Sequence, residues 1–440
     1  MNKEVIREKV KEENVRFLQL QFVDILGVPK AVEVPVTQIE KVLNNSILFD
    51  GSSIEGFARI IESDMYLAPD LSTFMIDRDN GTKLGRFFCD IYRNPEEPFD
   101  GCPRINLKRV IKEVQQKHQL EMMVGTEAEF FLFELDEKGE IIFKTQDKGG
   151  YFDLLPLDQA SQLRREIVDV LQEYGIEVEA LHHEVAAGQQ EIDFKYSNPL
   201  KTADNLMLFK TVIKVKSRKY KLHATFMPKP IQGINGSGMH THVSLWKGDV
   251  NKFHDSEDPQ YHLSDLARKF IAGIMKHAPA MTAIANPIVN SYKRLVPGYE
   301  APVDIAWSPY NRSPMLRLPK GEKSSKRIEI RSPDPAANPY LLFAAILTAG
   351  IDGIENNLSC PEPIIEDFFE QDETWRIQKK IKSLPSFLST AIRELEADLT
   401  IQKAFTEHIL KKFIQNKKFE VKNYQTTVHP WEVARYLSIY

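Results

Sequence analysis

Four short stretches of this chain place carboxylates, imidazoles or guanidiniums at alternate positions, and that spacing restricts the fold more than any other feature. In Gly125-Thr-Glu127-Ala-Glu129-Phe-Phe131-Leu-Phe133 the two glutamates are two residues apart. Side chains alternate along a strand, so both carboxylates share one face with Phe131 and Phe133. Gly236-Ser-Gly-Met-His240-Thr-His242-Val-Ser244 puts two imidazoles and a hydroxyl on one face, and Arg327-Ile-Glu329-Ile-Arg331 sets two guanidiniums and a carboxylate opposite isoleucines. His182-His-Glu184-Val-Ala-Ala-Gly-Gln-Gln-Glu191 reads as a tight hairpin around Ala187-Gly188, with Glu184 and Glu191 on opposite arms. Singly, each reads as an exposed strand face or a surface ion pair. Four strands sharing one habit describe a polar face on which neighbouring carboxylates repel unless a cation lies between them.

Five carboxylates with one or two imidazoles form a hard, oxygen-rich donor set, suited to Mg²⁺ or Mn²⁺ rather than to a closed zinc tetrahedron. They exceed the needs of one ion, which points to two or more metals bridging a phosphate. Gly233-Ile-Asn-Gly236-Ser-Gly238 lacks the Lys-Ser/Thr of a phosphate-binding loop, and the protein kinase signature is missing too. A nucleotide must then be held by metals and arginines. Arg294, Arg312, Arg317, Arg327 and Arg331 supply planar forks for carboxylate and phosphate. Together these features describe an ATP-using enzyme that transfers a phosphoryl group to or from an acidic substrate.

The chain of 440 residues exceeds one ordinary core, and predicts two or three domains. Its net charge of -5 argues against a nucleic-acid-binding surface. The charged amino terminus lacks a signal peptide's apolar run, and the longest apolar stretch, Leu341–Ile354, is too short to span a membrane and reads as a buried helix. Cys89, Cys102 and Cys360 are odd in number and widely separated, as expected of reduced thiols in the cytoplasm. Helices are predicted at 3–13, 37–44, 106–117 and 161–174, and through much of 385–413. Strands are predicted at 15–22, 31–36, 126–135, 177–186, 189–196, 240–245 and 327–332. Pro95, Pro98 and Pro103 mark a boundary, giving domains 1–103 and 104–440. The irregular alternation of elements favours an α+β fold.

Several long segments resemble bacterial type I glutamine synthetase. They include Phe49-Asp50-Gly-Ser-Ser-Ile-Glu-Gly-Phe, Glu62-Ser-Asp-Met, Gly125-Thr-Glu-Ala-Glu-Phe-Phe, His182-His-Glu-Val and Asn235-Gly-Ser-Gly-Met-His. Two more are Asn290-Ser-Tyr-Lys-Arg-Leu-Val-Pro-Gly-Tyr-Glu-Ala-Pro-Val and Arg331-Ser-Pro-Asp-Pro-Ala-Ala-Asn-Pro-Tyr-Leu, and the resemblance runs in order from near residue 15 to the end. It implies a small β-grasp-like amino-terminal domain and a large catalytic domain with a curved antiparallel sheet flanked by helices. It assigns Glu129, Glu184 and Glu191 to one metal, and Glu127, His240 and Glu329 to another. Glu179, Tyr196, His242, Ser244 and Arg327 fall at the ATP site, with the Tyr196 ring against adenine. Asn235, Gly236, Arg294, Glu300 and Arg331 fall at the glutamate site, and Arg312 and Arg317 around the transferred phosphate. Asp50 and Glu300 correspond to the ammonium-site carboxylates, Asp50 serving a neighbouring subunit of a double-ring dodecamer.

The resemblance also bears on regulation. No tyrosine lies between Tyr340 and Tyr424, where adenylylated relatives carry their modified residue. Arg59, in Glu55-Gly-Phe-Ala-Arg59-Ile, and the tail Val428-His-Pro-Trp-Glu resemble the branch inhibited directly by glutamine, whose members can bind nitrogen-responsive transcription factors. The rival within the superfamily is a γ-glutamyl-amine ligase, and Asp50 with Glu300 speaks against it. The rival of another class is a non-catalytic scaffold, and the six metal-type residues speak against that.

Overall fold

A computed structural model describes residues 1–56, 64–78, 81, 83–299, 301–321, 323–366 and 368–440. Arg59 and Glu300, singled out above, lie outside the described residues.

The amino-terminal part is built on strands β1 (Phe17–Val23), β2 (Pro29–Pro35), β3 (Ile47–Asp50), β4 (Asp64–Pro69), β5 (Met75–Asp77), β6 (Leu84–Asn94) and β7 (Glu97–Pro98). Their order is β2-β1-β6-β4-β3, with β1 parallel to β6 and the other pairs antiparallel. Residues 78–103 carry no predicted element, yet β6 runs through them as the central strand. Its Phe87-Phe88-Cys89-Asp90-Ile91 is buried on both faces, so no alternation marks it. Helices α1 (Lys3–Glu12) and α2 (Ile39–Leu43) pack here through Ile6, Val10, Val42 and Leu43.

The second sheet holds β8 (Glu121–Ala128), β9 (Phe130–Leu135), β10 (Ile141–Thr145), β11 (Val178–His183), β12 (Gln189–Phe194), β13 (Leu222–Thr225), β14 (Met239–Lys247) and β15 (Val250–Asn251). A short pair, β16 (Asp304–Ile305) with Lys382–Ser383, lies apart, and the sheet ends with β17 (Trp307–Ser308), β18 (Leu316–Arg317) and β19 (Ile328–Ile330). Its backbone order is β10-β9-β12-β8-β14-β19-β18-β17, antiparallel except for β17 with β18. The strand predicted at 126–135 is two strands, interrupted at Glu129. One partner, β12, pairs with β9 through Gln189 and Gln190 and with β8 through Asp193, so the chain must break to serve both.

Helices α3 (Pro103–His118), α4 (Ser161–Glu173), α5 (Pro199–Lys219), α6 (Asp265–Ala285), α7 (Ser291–Arg294) and α8 (Pro339–Glu355) follow, and the tail is helical over Leu388–Ala397, Leu399–Gln402, Glu407–Thr426 and Pro430–Tyr436. Leu107, Val110 and Val114 of α3 are buried, and α8 is buried from Pro339 to Leu347. No helix among the described residues is long and apolar enough to cross a membrane. Arg104 joins the two sheets' territories: its guanidinium meets Asp90 at 2.8 Å, Asp70 at 2.9 Å and Asp204 of α5 at 2.8 Å. Tyr340 donates a further bond to Asp204 at 2.6 Å.

One buried imidazole ties three helical segments. His277 of α6 meets Asp398 through Nδ1 at 2.5 Å and Asp352 of α8 through Nε2 at 2.9 Å, with Lys276 on the same Asp352 oxygen at 2.8 Å. Burial opposes its charge, but the two carboxylates prevail and raise its pKa above the ordinary 6.5. The contribution is therefore complete below that value and is lost as pH rises through the raised folded-state pKa. Urea unfolding of His277→Gln against wild type should show a loss of about 2 kcal/mol near about pH 6, shrinking near about pH 9.

Candidate functional site

Register carries the predicted residues into rows. Residues opposed on neighbouring antiparallel strands project from the same face. Asp193 (β12), Glu127 (β8) and His240 (β14) stand side by side in one row. The adjacent row runs Arg317 (β18), Glu329 (β19), His242 (β14) and Gly125 (β8). His182 of β11 faces Glu191 of β12 across the hairpin. The sequence pattern thus becomes a polar patch across the middle of the sheet.

Within that patch two groups among the described residues are spaced for a cation: Glu127 with His242 and Glu329, and His182 with Glu184 and Glu191, each set offering ligand atoms within 4.8 Å of one another. Glu127 accepts from His242 Nε2 at 2.6 Å and from His240 Nδ1 at 3.2 Å. His240 Nδ1 also lies 3.7 Å from Glu329, so both imidazoles border the first group. His182 Nε2 lies 3.1 Å from Glu191, a neighbour the motif reading left without a role. Glu129 accepts from Gln189 Nε2 at 2.7 Å and from the Gly238 amide at 3.0 Å.

The electrostatics divide the patch. Burial alone would raise Glu127, but hydrogen bonds from His240 and His242 outweigh it and hold its pKa far below the carboxylate range. Glu329 is likewise buried, yet His240 and Arg331 bring it down to about 2; Arg331 Nη1 sits 2.5 Å and Arg317 Nη1 2.7 Å from its oxygens. For Glu129, Glu191 and Asp193 the opposing groups among the described residues do not outweigh burial and like charge. Burial and then the charges of Glu191 and Glu184 push Glu129 up, and burial with Asp193 and Glu127 pushes up Glu191. Burial and Glu127 carry Asp193 to about 7. Acids that repel one another in a buried, hard-oxygen cluster fit a divalent cation.

Two cavities meet at this patch. One, about 280 Å³, is lined by Gly125, Glu127, Glu179, Asp193, Tyr196, His242, Ser244 and Arg327. It gathers the predicted nucleotide residues with Tyr196 half-exposed at its wall. The other, about 350 Å³, contains Glu127, Glu129, Glu184, Glu191, His240, Glu329, Asn235, Gly236, Arg294, Arg312, Arg317 and Arg331. Glu127 and Asp193 belong to both. Asp193, Gln189, Tyr151 and Tyr299 line the second cavity without having been singled out in the sequence. Gln189 and Asp193 carried a usable signal, each two residues from Glu191 on the same strand.

Local structure explains several of these positions. Gly236 and Gly238 let the chain pass against Arg294: a β-carbon at Gly236 would lie 2.3 Å from the Pro228 carbonyl oxygen, and one at Gly238 2.7 Å from Arg294 Nη2. Arg294 itself is spent on backbone, donating to the carbonyls of Ser332 at 2.8 Å and Arg331 at 3.1 Å. Asp147, buried, accepts from the Gly188 amide at 3.0 Å and meets His183 Nε2 at 3.0 Å. It thereby fixes the segment bearing Tyr151 to the hairpin that carries Glu184 and Glu191. Asp50 is not brought to this cavity: it ends β3 on the amino-terminal sheet, exposed, accepting from the Ser52 amide at 2.8 Å.

Removing Glu329 would leave Arg317 and Arg331 without their shared carboxylate and strip one cation group of a ligand. Glu329→Ala should lower turnover at least about a hundredfold and bind one Mn²⁺ fewer by calorimetric titration.

Two family models match this chain in sequence order. The model of the glutamine synthetase catalytic domain matches residues 100–436, and that of the glutamine synthetase beta-Grasp domain matches residues 14–94. Glutamine synthetases of Staphylococcus aureus strain N315 and Staphylococcus epidermidis ATCC 12228 are each 52% identical over 441 residues, covering all of this chain and 98% of theirs. Among solved structures, the ADP complex of GmaS is 32% identical with a TM-score of 0.89, covering 98% of this chain and 99% of that one. The cryoEM structure of Plasmodium falciparum glutamine synthetase is 28% identical with a TM-score of 0.88, covering 99% of each. With both domain models in order and half the residues shared with staphylococcal enzymes end to end, this chain belongs to the glutamine synthetase family, in its bacterial type I group.

Proposed function

We propose that this chain ligates ammonia to L-glutamate at the expense of ATP, giving L-glutamine, ADP and phosphate through γ-glutamyl phosphate. One observation carries the reading: a cavity walled by Tyr196, Ser244 and Arg327 and an arginine-rimmed cavity share Glu127 and Asp193 at their junction. A γ-phosphate entering from one side would meet a substrate carboxylate entering from the other. Positioning and electrostatics are most of what such a transfer needs.

Each group of residues then has a task. Tyr196 offers an aromatic face to adenine, while Glu179, His242, Ser244 and Arg327 line the same wall. Asn235, Gly236 and Arg331 border the glutamate, with Arg294 behind them, and Arg312 and Arg317 face the phosphate. Glu129, Glu184 and Glu191 would hold one Mg²⁺ or Mn²⁺ and Glu127, His240 and Glu329 a second, with His182 and His242 adjacent. Bound there, the cations offset charge on the phosphate oxygens. Ammonium is not nucleophilic until it loses a proton, so an anionic pocket must draw it in and deprotonate it. Asp50 is the candidate base: its bonds from Ser52 lower its pKa and keep it ionised. Glu300 would add a second carboxylate and exclude water from the acyl phosphate.

Asp50 stands apart from the cavity of its own chain, which supports a site completed by a neighbouring subunit in a double-ring dodecamer. The division into domains at residue 103, a cytoplasmic location, and feedback inhibition by glutamine through Arg59 complete the proposal.

With glutamate, ATP and Mg²⁺, phosphate release should start on adding ammonium and stay absent with putrescine; release with putrescine alone would instead make this a γ-glutamyl-amine ligase. Separately, Arg59→Ala should keep its ammonium-dependent activity while losing inhibition by glutamine, measured as the glutamine concentration that halves the rate.

A further inference from the structure

The loop from Pro228 to Gly236 contains a lysine that neither the motif nor the cation groups explain. Lys229 is only 8% exposed. Its backbone is clamped by Asn290, whose Oδ1 accepts from the Lys229 amide at 2.8 Å and whose Nδ2 donates to the Lys229 carbonyl at 3.0 Å. The ammonium donates to the carbonyl of Ile234, the residue before Asn235, and sits 3.8 Å from the centre of the Tyr299 ring. Among the described residues no carboxylate pairs with it. A buried ammonium needs compensation, and here a carbonyl and the negative face of an aromatic ring supply it.

The contact joins two walls of one cavity. Asn235 and Gly236 lie on the lysine's loop, Tyr299 lies on the segment following α7, and all three line the arginine-rimmed cavity. Asn290 and Arg294, at the base of that segment, are fixed to Lys229 and to the 331–333 backbone respectively. Beyond Arg294, Tyr299 is the residue through which the segment meets the lysine.

We propose that Lys229 is a positioning residue for the ligase reaction: its ammonium, seated on Tyr299, latches the 295–299 segment to the Asn235 loop and closes the glutamate cavity against water. When the latch is lost, water replaces ammonia at the acyl carbon of γ-glutamyl phosphate. The bond from that carbon to the phosphate oxygen breaks, and glutamate and inorganic phosphate are returned without glutamine. A lysine serving only the fold would change stability and leave the ratio of phosphate to glutamine alone.

The latch rests on the ligase reading, and wild-type enzyme separates the two: failure to release phosphate on adding ammonium defeats the reading itself. Given an active wild type, Lys229→Gln should raise the KM for glutamate about tenfold, as expected for one desolvated cation–π contact, while the KM for ATP stays within about twofold. Phosphate released per glutamine formed should rise above one to one. Lys229→Arg should restore both values. Should Lys229→Gln fail to fold, the ring carries the test: Tyr299→Leu should reproduce the effect and Tyr299→Phe should not. A Tyr299→Leu enzyme with wild-type glutamate KM and coupling would overturn the latch, as would equal damage from Leu and Phe.

Discussion

Like-charge repulsion on one face of a sheet is the constraint around which this molecule is arranged. Glu127, Glu129, Glu184, Glu191, Asp193 and Glu329 all line one cavity. Two unit charges at about 4 Å repel by about 4 kcal/mol near a protein surface, so six such groups require an answer. The protein gives two. On one side His240, His242, Arg317 and Arg331 hold Glu127 and Glu329 ionised. On the other, Glu129, Glu191 and Asp193 meet Gln189, the Gly238 amide, His182 and the more distant charge of Arg294, and burial with like charge still raises their pKa values. The patch is charged beforehand on one half and left in need of a cation on the other.

Holding that arrangement falls to the sheet and to what is packed behind it. The opposite face of β8, β12 and β14 is buried through Val124, Ala128, Ile192, Met239 and Val243, so a one-residue slip in any of these strands would exchange apolar for acidic side chains. Burial thereby fixes register, and register fixes the rows Asp193–Glu127–His240 and Arg317–Glu329–His242. The break at Glu129 serves the same end. It lets β12 pair with both β8 and β9, bringing the hairpin's Glu184 and Glu191 to the edge of the patch.

Much of this was legible because period-two spacing survives in any strand. Glu127 and Glu129, His240 and His242, and Arg327, Glu329 and Arg331 could be placed on shared faces without knowing which strands are neighbours. Neighbourhood was beyond reach, since β12 lies between β8 and β9 only through long-range pairing. For the same reason His182 went without a role although its motif was recognised, and Asp193 was passed over despite standing two residues from Glu191. Tyr151 and Tyr299 arrive from loops, where no periodicity exists to read. Strand β6 was missed because burial on both faces erases alternation. The arginines show a different limit. All five were visible as forks, but composition could not tell that Arg294 is committed to backbone carbonyls while Arg317 and Arg331 clasp Glu329.

The position of Asp50 follows from the same electrostatics. A seventh carboxylate permanently inside the cavity would add to the repulsion that already lifts Glu129, Glu191 and Asp193. It would also compete for the cations that those groups require. Placed instead at the end of β3, on a separate sheet with its own core, Asp50 can remain ionised through Ser52 at no cost to the cluster. Supplied by a neighbouring chain, such a residue would meet the site only when subunits assemble. Under the proposed reaction, an anion that attracts ammonium would then coexist with a cavity whose own acids serve metal and phosphate, because the two sets of charges are built on different sheets.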